Sequence, residues 1–544
     1  MSPSTILRTG FHIELINSLG VKITRLVTDS RLVKPGDTFV AYPGEQTDGR
    51  QFIAQAIAHG ANAVLWDAHN FKWNPAWQVP NLAVNDLRQQ AGEIAALVND
   101  HPSEKLWMVG VTGTNGKTSC SHWIAQSFSA LGRKAALIGT LGNGFVGNEF
   151  PGKLQPTLNT TPDAIRVHSL LAEFVQQQAQ VVAMEVSSHA LEQGRVNGVK
   201  YDVALLTNLS RDHLDYHGDM THYAAAKQRL FDWKRLKYAV LNLDDEFGRE
   251  LAEKLQDAAS PSPRPLASLS PPAIGRGGER EKKYSIPEVI GYGLNDEALQ
   301  YAEQQGLRMV FGANLQLDAQ GCRMQVHTSW GGGQVHSSLL GRFNAENLLG
   351  TLAVLLVSGV PLAEALHELA QRRAVPGRMQ TLGATDQPAV VVDYAHTPDA
   401  LEKVLHTLHE VTAASGGKLI CVFGCGGDRD RGKRPMMGTV ASKLADASIV
   451  TSDNPRSENP ADIIAAIVVA MSGSYQIIED RELAIVTAIR AARNTDTVLI
   501  AGKGHEDYQE IKGVKYPFSD IEIAQRSLQT WHPGLNQENR GGQA

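Results

Sequence analysis

The chain has 544 residues, of which 42% are hydrophobic and 20% charged, and its formal net charge is −6. This length exceeds what one hydrophobic core supports and predicts about three domains, and the weakly acidic balance excludes a basic nucleic-acid-binding surface. No signal-peptide pattern and no apolar run of membrane-spanning length occurs, and the spacing of Cys120, Cys322, Cys421 and Cys425 indicates neither a zinc site nor a disulfide framework. We therefore expect a reduced, cytoplasmic compartment, with neither nucleic acid nor membrane as a partner.

Residues 1–105 form the first predicted unit, a mixed α/β domain. Strand-like runs lie at 38–41 and 63–65, and helical patterns at 51–59 and 87–98. Polar clusters with the sequences Thr-Asp-Ser-Arg (28–31) and Gly-Glu-Gln-Thr-Asp-Gly-Arg (44–50) adjoin the strands. Taken alone, each cluster is most simply a capped turn. The His-Pro-Ser segment at 101–103 indicates a linker.

The middle predicted unit, residues 106–338, opens on the most informative stretch of the sequence. An apolar run leads into a glycine-bearing turn, which is followed by a helical pattern. The turn consists of Gly113, Thr114, Asn115, Gly116, Lys117, Thr118 and Ser119. Strand, glycine-rich loop and helix in this order are what a phosphate-binding P-loop requires, because backbone N–H groups and the helix N-terminus converge on phosphate oxygens.

Two side chains of this loop have direct chemical roles in the P-loop interpretation. Lys117 would reach the β- and γ-phosphates, and the Thr118 hydroxyl would bind Mg²⁺. The general pattern expects a glycine at position 111, where this chain has Val111. An ordinary strand-to-helix turn is the alternative.

Further buried-strand patterns follow in the middle unit at 135–138, 180–186 and 202–207. The second of these carries Glu185 near its C-terminal end, where ligands bind in open α/β sheets. Glu185 is therefore a candidate Mg²⁺ ligand, and a solvated strand-end glutamate is the alternative.

Three other features of the middle unit are less specific. His213 and His217 have a helical spacing that could bind zinc, but no glutamate lies between them as in H-E-x-x-H, and a Mg²⁺ contact through His213 is also open. Composition alone predicts that Lys227 is an exposed helix lysine. Pro- and Ser-rich residues 259–272 and the charged segment 276–283 predict a flexible surface insertion.

The last predicted unit, residues 339–544, alternates apolar strands with helical patterns, as a doubly wound, Rossmann-like sheet does. Glycines at 424–427 lack the G-x-G-x-x-G spacing, so a dinucleotide site is weakly supported. Arg378 could neutralise a transferring phosphoryl group, and Arg456, set by Pro455 after a strand, could hold a carboxylate. Solvated loops are the alternative in both cases, and the polar C-terminal residues are predicted to fray.

Several motifs in a fixed order resemble one family, the Mur amino-acid ligases, and among them the members that add meso-2,6-diaminopimelate. The matching segments are Thr-Asp-Ser-Arg at 28–31, Gly-Thr-Asn-Gly-Lys-Thr at 113–118, Asn-Thr-Thr-Pro-Asp at 159–163, Glu-Val-Ser-Ser-His at 185–189, Arg-Asp-His-Leu-Asp-Tyr-His at 211–217, Asn-Ala-Glu-Asn at 344–347, Tyr-Ala-His-Thr-Pro-Asp at 394–399, Asp-Asn-Pro-Arg at 453–456 and Gly-Lys-Gly-His-Glu at 502–506. The insertion near 259–290 does not belong to this pattern.

The resemblance implies an α/β protein of three domains: a mixed α/β N-terminal domain, a central P-loop ATPase-type parallel sheet and a C-terminal Rossmann-like domain. It also implies a monomeric enzyme that joins UDP-N-acetylmuramoyl-L-alanyl-D-glutamate to diaminopimelate through an acyl phosphate, with ATP, Mg²⁺ and a CO₂-derived carbamate on Lys227. The implied catalytic residues are Lys117, Glu185, His213, Lys227 and Arg378, and the implied metal ligands are Thr118, Glu185, His213 and the modified Lys227.

The resemblance also implies three sets of binding residues. ATP would contact residues 113–119 together with Asn347, Arg378 and His396. The UDP substrate would contact Thr28, Ser30, Glu45, Gln46, Thr47, Asn159, Thr160, Thr161, Ser187, Gln193 and Arg195, although Glu45 stands where some members carry histidine. Diaminopimelate would contact Arg429, Asp453, Asn454, Pro455, Arg456, Gly502 and Glu506.

Two other classes of protein stay open on the sequence. A folylpolyglutamate-synthase-like ligase shares the P-loop, but the Asp-Asn-Pro-Arg loop and the additional N-terminal unit argue against it. A P-loop NTPase that acts as a switch or motor would release phosphate without forming an amide, so product analysis separates it from a ligase.

Overall fold

The computed structural model describes residues 16, 18–45, 47–147, 154–157, 159–259, 286–318, 320–384 and 386–532. Gln46, most of the predicted insertion and the polar C-terminal residues lie outside these ranges, so the expectations for them stay predictions. Within the described ranges, no helix is both long and apolar enough to cross a membrane.

The first unit, as far as the structure describes it, is a four-stranded parallel sheet with two α-helices. Its elements are β1 (Leu26–Val27), β2 (Thr38–Ala41), α1 (Ile53–Ala58), β3 (Ala63–Asp67), β4 (Asn81–Val84) and α2 (Leu87–Val98). The two polar clusters do form capped 3₁₀ turns, Ser30–Leu32 with Asp29 as N-cap and Gly49–Phe52 with Asp48 as N-cap. The predicted linker contains a 3₁₀ turn, Pro102–Lys105, whose first two residues are buried.

The middle unit is built on a sheet that has ten strands in the described part of the chain. The strands are β5 (Trp107–Thr112), β6 (Ala135–Gly139), β7 (Gly142–Phe145), β8 (Val181–Glu185), β9 (Val203–Leu206), β10 (Tyr238–Asn242), β11 (Glu288–Gly293), β12 (Arg308–Asp318), β13 (Gly321–Thr328) and β14 (Gly331–Ser337). Their order is β14-β13-β12-β11-β10-β9-β5-β8-β6-β7, and the seven from β12 to β6 in this order are parallel.

Helices cover both faces of this sheet, which explains why β8 and β9 are buried along their whole length. The helices are α3 (Lys117–Ala130), α4 (Ala164–Gln176), α5 (Ser188–Glu192), α6 (Leu214–His217), α7 (Met220–Gln228), α8 (Glu246–Ala259), α9 (Asp296–Gln304), α10 (Arg342–Val357) and α11 (Leu362–Ala370). The cluster on one face contains residues of α3, β5, β8 and α10, and the cluster on the other contains residues of α4 and α8.

Helix α10 bears on where the middle unit ends. It follows the predicted boundary at residue 338, but its Leu348, Leu352 and Leu355 are buried in the same core as Trp123 of α3. The predicted boundaries stay predictions, and on this packing we propose that the middle unit extends through α10 and α11.

The last unit is a six-stranded sheet in the described residues, in the order β15-β16-β20-β17-β18-β19. Its strands are β15 (Gln380–Leu382), β16 (Ala389–Asp393), β17 (Leu419–Phe423), β18 (Ala447–Val450), β19 (Tyr475–Ile477) and β20 (Thr497–Ala501), of which all but β15 are parallel. The helices are α12 (Pro398–Ala414), α13 (Lys433–Leu444), α14 (Pro460–Val468), α15 (Arg481–Ala491) and α16 (Asp520–Gln529), and a hairpin of β21 (Tyr508–Ile511) and β22 (Val514–Pro517) follows β20. The predicted doubly wound pattern is confirmed.

Candidate active site

The glycine-rich turn joins β5 to α3 at the carboxyl edge of the central sheet. Gly113 has φ +145° and Gly116 has φ +84°, and a Cβ at these positions would lie 1.9 Å from Thr207 Oγ1 and 2.4 Å from Asn347 Oδ1, respectively. Both positions therefore require glycine. Val111 lies inside β5, where it is fully buried and paired with β8. Position 111, where the general pattern has a glycine, thus belongs to the strand in this protein, and the loop begins two residues later at Gly113.

The side chains of Lys117 and Thr118 lie at the start of α3. Lys117 Nζ donates to the carbonyl oxygens of Gly113 and Thr114 at 2.8 and 2.9 Å, so the ammonium is folded back over the loop that would hold phosphates. Burial lowers the pKa of Lys117, and the negative charge of Glu185 opposes this shift. This geometry supports the interpretation that Lys117 binds phosphate and argues against a solvated surface lysine.

Glu185 ends β8 and is fully buried, so it is not the solvated strand-end residue of the alternative interpretation. Its carboxylate accepts hydrogen bonds from the Thr118 hydroxyl at 2.9 Å, from Thr140 Oγ1 at 3.0 Å and from Thr140 N at 2.8 Å. Arg378 Nη2 donates to Thr118 Oγ1 at 3.2 Å. A hydroxyl, a carboxylate and a guanidinium from three separate segments therefore meet beside the phosphate loop.

Lys227 lies on α7 and is 1% exposed, so the prediction of an exposed helix lysine is wrong. Its Nζ donates to Gly113 O at 2.8 Å and lies 4.3 Å from the centre of the Tyr223 ring. Burial lowers the pKa of the Lys227 amine well below its ordinary value, and the positive charge of Lys117 adds to the shift. This shift favours the neutral amine, which is the form that can act as a nucleophile.

Histidines surround the same place. Burial lowers the pKa of His213 to about 3 and that of His189 to about 4, so both imidazoles are neutral at physiological pH. His217 is buried, with Nδ1 3.1 Å from Glu192 Oε2 and Nε2 3.0 Å from Ser188 Oγ. Within the described ranges, no group of three or more His, Cys, Asp or Glu side chains is arranged to hold a metal ion. The zinc interpretation gains no support.

A cavity that is open to solvent lies among these segments. The predicted ATP and metal residues from Thr114 to Ser119, with Glu185, His213, Lys227, Asn347, Arg378 and His396, all line it, and Gly113 contributes its carbonyl oxygen to both lysines. Arg378 and His396 belong to the last unit, so the cavity lies between two units of the protein.

Hydrogen bonds and ion pairs join these two units around the cavity. Asp399, at the start of α12, accepts from Asn115 Nδ2 and from Ser210 Oγ, both at 3.0 Å. Asp212 Oδ2 lies 3.7 Å from His396 Nε2. Burial raises the pKa of the Asp212 carboxyl, but His396 and His213 outweigh this effect and hold that pKa well below its usual value. The phosphate loop is thus tied directly to the last unit.

The residues predicted to bind the UDP substrate fall into two places. Thr160 and Ser187 line the cavity, and Thr161 is buried with its hydroxyl bonded to Glu185 O at 2.8 Å. Glu45 of the first unit accepts a hydrogen bond from Gln193 Nε2 and lies 3.5 Å from Arg88.

Other members of this set lie nearby or further out. Arg195 donates from Nε to Gln193 Oε1 at 2.7 Å. Asn159 and Thr47 are exposed, Thr28 is half-buried, and Ser30 is buried with its hydroxyl bonded to Gln55.

The residues predicted to bind diaminopimelate form a separate cluster in the last unit. Asn454 Nδ2 donates to Glu506 Oε2 at 2.8 Å, and Gly502 N donates at 3.1 Å to the carbonyl oxygen of Asp393, which lines the cavity. Arg456 pairs through Nε with Glu510 at 3.3 Å. Asp453 and Pro455 are buried, and Arg429 is exposed. The cluster therefore adjoins the cavity through the ends of β16 and β20.

Asp393 and Thr140 are two of the cavity residues to which the sequence analysis assigned no role. Asp393 is buried, and its carboxylate accepts from the backbone N–H groups of Met379 and Ala395, both at 2.7 Å. Its place at the end of a strand, before the Tyr-Ala-His turn, was an available signal. Thr140, which holds Glu185, follows an unremarkable strand and gave no such signal.

A phosphate loop, a buried lysine and a carboxylate at the edge of a parallel sheet define a P-loop nucleotide-binding protein, here with α/β units on either side. Sequence models of the Mur ligase family match the chain at 22–98 (catalytic domain), 111–262 and 276–355 (middle domain), and 377–504 (glutamate ligase domain). The chain belongs to the Mur ligase family.

Individual relatives agree with this assignment. A UDP-N-acetylmuramoyl-L-alanyl-D-glutamate--2,6-diaminopimelate ligase from Chromobacterium violaceum is 51% identical over 520 residues, covering 95% of this chain and 96% of the relative. A solved structure of a ligase with the same name is 36% identical, with a TM-score of 0.62 over 93% of this chain and 95% of that one. The MurF ligase from Thermotoga maritima in complex with ADP, at 17% identity and a TM-score of 0.59 over 93% of this chain and 98% of that one, shares the fold.

Proposed function

We propose that this protein is an ATP-dependent, ADP-forming amide ligase that adds meso-2,6-diaminopimelate to UDP-N-acetylmuramoyl-L-alanyl-D-glutamate in peptidoglycan precursor synthesis. One observation carries the proposal most directly: the P-loop cavity lies between the middle and last units, beside the cluster around Arg456. A ligation of this kind needs ATP, the UDP substrate and the amino acid to meet at one cavity. The names of the relatives support the choice of substrates.

The proposed reaction begins with activation of a carboxylate. A carboxylate oxygen is a poor leaving group, so the D-glutamyl γ-carboxylate first attacks the γ-phosphorus of ATP, forming an acyl phosphate and releasing ADP. Both reactants are negatively charged, and Lys117 and Arg378, which line the cavity, reduce their repulsion. The deprotonated amine of diaminopimelate then attacks the acyl carbon, an amide bond forms and phosphate leaves.

The oxygen donors in the cavity fit Mg²⁺ in part. Thr118 Oγ1 and Glu185 Oε2 lie 2.9 Å apart, and hydroxyl and carboxylate oxygens are the donors that Mg²⁺ prefers. His213, with its neutral ring, is a further candidate. A bound Mg²⁺ would neutralise charge on the phosphates. Glu185 is the single carboxylate among the predicted metal ligands, so a second anionic oxygen ligand would complete the set.

We infer that a carbamate on Lys227 is this second anionic ligand. The neutral buried amine attacks the carbon of CO₂, an N–C bond forms and the proton passes to solvent, which converts an amine into a carboxylate-like group. An unmodified ammonium at this buried position would repel the metal ion. The low pKa of Lys227 and its place beside Gly113 O support this inference.

The first unit would hold the UDP nucleotide through Thr28, Ser30 and residues 45–47. Its contact with the middle unit through Glu45 and Gln193 supports a binding site that continues toward the cavity. Thr160, Ser187 and Arg195 would then hold the sugar-peptide end near Lys117. All four cysteines are free and buried, which supports a reducing compartment, and we propose a cytoplasmic enzyme that acts on small molecules. The monomeric state stays an expectation from the family resemblance.

The decisive experiment is a ligation assay that follows phosphate release and amide product together. Purified protein receives ATP, Mg²⁺ and the UDP-muramoyl dipeptide, with diaminopimelate, lysine or glutamate as the acceptor. We expect phosphate and amide in equal amounts with diaminopimelate, and neither without an acceptor. Phosphate release without an amide would identify a switch-type NTPase. In a parallel reaction a folate replaces the UDP substrate and glutamate is the acceptor, and an amide formed there would identify the folylpolyglutamate class.

A further inference from the structure

A lysine with no solvent-exposed surface lies beneath the proposed amino-acid site. Lys503 is 0% exposed and follows β20. Its Nζ donates to Asn454 Oδ1 at 2.8 Å and to Tyr508 O at 2.7 Å. It also lies 3.5 Å from Asp453 Oδ1 and 3.5 Å from Glu506 Oε2. One buried cation therefore touches three of the residues predicted to bind diaminopimelate.

The first consequence concerns the orientation of the Asn454 amide. Its Oδ1 accepts from Lys503 and from Glu510 N at 2.9 Å, so the nitrogen must point the other way. That nitrogen donates to Glu506 Oε2 at 2.8 Å. Lys503 and the Glu510 N–H together therefore set the direction of the Asn454 side chain and, through it, the position of the Glu506 carboxylate.

The second consequence concerns charge. Arg481 and Asp520 form a fully buried pair at 2.7 Å, which is neutral as a whole. Lys503 is the fully buried cation beside this pair, and it faces two carboxylates, Asp453 and Glu506. With all five groups ionised, one negative charge is left over. A single substrate ammonium is the complement of such a cluster.

Burying the Lys503 ammonium carries a desolvation penalty that an apolar side chain would avoid. A methionine of similar length would occupy the same volume without desolvating a charge, and buried ion pairs add little stability compared with well-packed apolar groups. Its hydrogen bonds instead specify one arrangement of Asn454 and Glu506. The structure thus points to a role in recognition.

We propose that Lys503 is a positioning residue for the amino-acid substrate: it orients Asn454 and Glu506 and leaves one net negative charge to receive the substrate ammonium. This inference rests on the proposed function. It assigns Lys503 no contact with the substrate itself.

The principal test is Lys503→Met, with Lys512→Met on the adjacent hairpin as a matched control because the Lys512 side chain is exposed. We expect the KM for diaminopimelate to rise about tenfold to a hundredfold, while the KM values for ATP and the UDP substrate stay within about twofold of wild type. Lys512→Met should leave all three KM values unchanged. An unchanged KM for diaminopimelate, or an equal rise in all three, would overturn the proposal.

A pH profile separates positioning from a loss of general stability. Burial and the charge of Asp453 raise the pKa of Glu506, and Lys503 opposes this shift. The charged or titratable groups that face Glu506 are Asp453, Lys503, Arg481, His396, Tyr394 and Tyr508. Without the lysine, Glu506 takes up its proton at a higher pH. As the pH is lowered, the KM for diaminopimelate should therefore begin to rise at a higher pH in Lys503→Met than in wild type. Coincident pH profiles for the two proteins would contradict the proposal.

A double-mutant cycle covers the case in which Lys503→Met folds poorly. Lys503→Met with Glu506→Gln removes one cation and one carboxylate and so keeps the charge balance. If Lys503 acts through Glu506, the double variant should have nearly the same KM for diaminopimelate as Glu506→Gln alone. A KM for diaminopimelate that is tenfold or more higher in the double variant than in Glu506→Gln would overturn the inference. Failure of both lysine variants to fold would also overturn it, because Lys503 would then act in stability. A wild type that does not use diaminopimelate would instead overturn the proposed function.

Discussion

Arg456→Ala should lose ligation of diaminopimelate while the binding of ATP and of the UDP substrate stays intact. The structure holds one side of the Arg456 guanidinium: Nη1 donates to Gly427 O at 2.7 Å, and Nε pairs with Glu510 Oε2 at 3.3 Å. The edge formed by Nη1 and Nη2 still has N–H groups to form parallel hydrogen bonds with a substrate carboxylate. Diaminopimelate carries such a carboxylate at the end where lysine has only an amine.

The expected loss follows from the burial of the Arg456 side chain, which is 20% exposed. Truncating one partner of a buried, hydrogen-bonded charge pair costs about 2–5 kcal/mol, and the remaining exposure favours the lower part of this range, about 2–3.5 kcal/mol. At about 1.36 kcal/mol per factor of ten, kcat/KM should fall roughly thirty- to four-hundred-fold. Arg456→Lys keeps the charge but cannot form both hydrogen bonds to the carboxylate, so its kcat/KM should fall about tenfold.

The assay is steady-state ligation at saturating ATP and UDP substrate, with diaminopimelate or lysine varied. Wild type should prefer diaminopimelate, because lysine would leave a desolvated guanidinium without its partner. Glu510→Gln is the control: it removes the ion-pair partner but keeps the guanidinium, and kcat/KM should change by less than about fivefold. A wild type that prefers lysine, or an Arg456→Ala variant that keeps its diaminopimelate rate, would refute the assignment.

Four other outcomes are expected. Lys117→Ala should abolish ligation but leave UDP-substrate affinity, measured by calorimetry, nearly unchanged; a wild-type rate would remove the phosphate role. Lys227→Ala should be nearly inactive and partly restored by added short-chain carboxylates, whereas full activity would exclude the carbamate. Burial lowers the pKa of His168 to about 4, below its unfolded value, so acid favours the unfolded state as pH falls from about 6.5 toward 4. In urea titrations, His168→Gln should therefore lose about 2 kcal/mol less stability than wild type between pH 7 and 5, and equal losses would contradict this. Deleting residues 262–282, which are rich in Pro, Ser, Gly and charge, should change the melting temperature and the rate little; loss of folding would show that the segment packs on the protein.

Much of the fold was predictable because it follows from local pattern. The phosphate loop, its strand and its helix are contiguous in sequence, and so are the apolar runs that became β8, β9 and β17. The family assignment made from ordered motifs is confirmed by the sequence models and by the relatives. The roles of individual site residues stay predictions, although the structure brings the proposed ATP and metal residues together in one cavity.

The errors lie where distant segments decide the outcome. Nothing within α7 distinguishes Lys227 from an exposed lysine. Its amine is buried against Gly113, 114 residues earlier in the chain, and its low pKa comes from this burial and from the positive charge of Lys117. The burial of Pro102 and Ser103 in the predicted linker likewise depends on a distant segment, because the turn that they begin packs against α4.

The sequence by itself determined the secondary structure, the phosphate loop and the family, because hydrophobic periodicity, glycine positions and short motifs act over neighbouring residues. Only the tertiary structure decided the electrostatics of the site. The pKa of Lys227, the hydrogen bonds that hold Glu185 and the charge balance around Lys503 depend on burial and on partners from other segments. Desolvation and Coulomb energies are set by distances through space, and these exist only once the chain has folded.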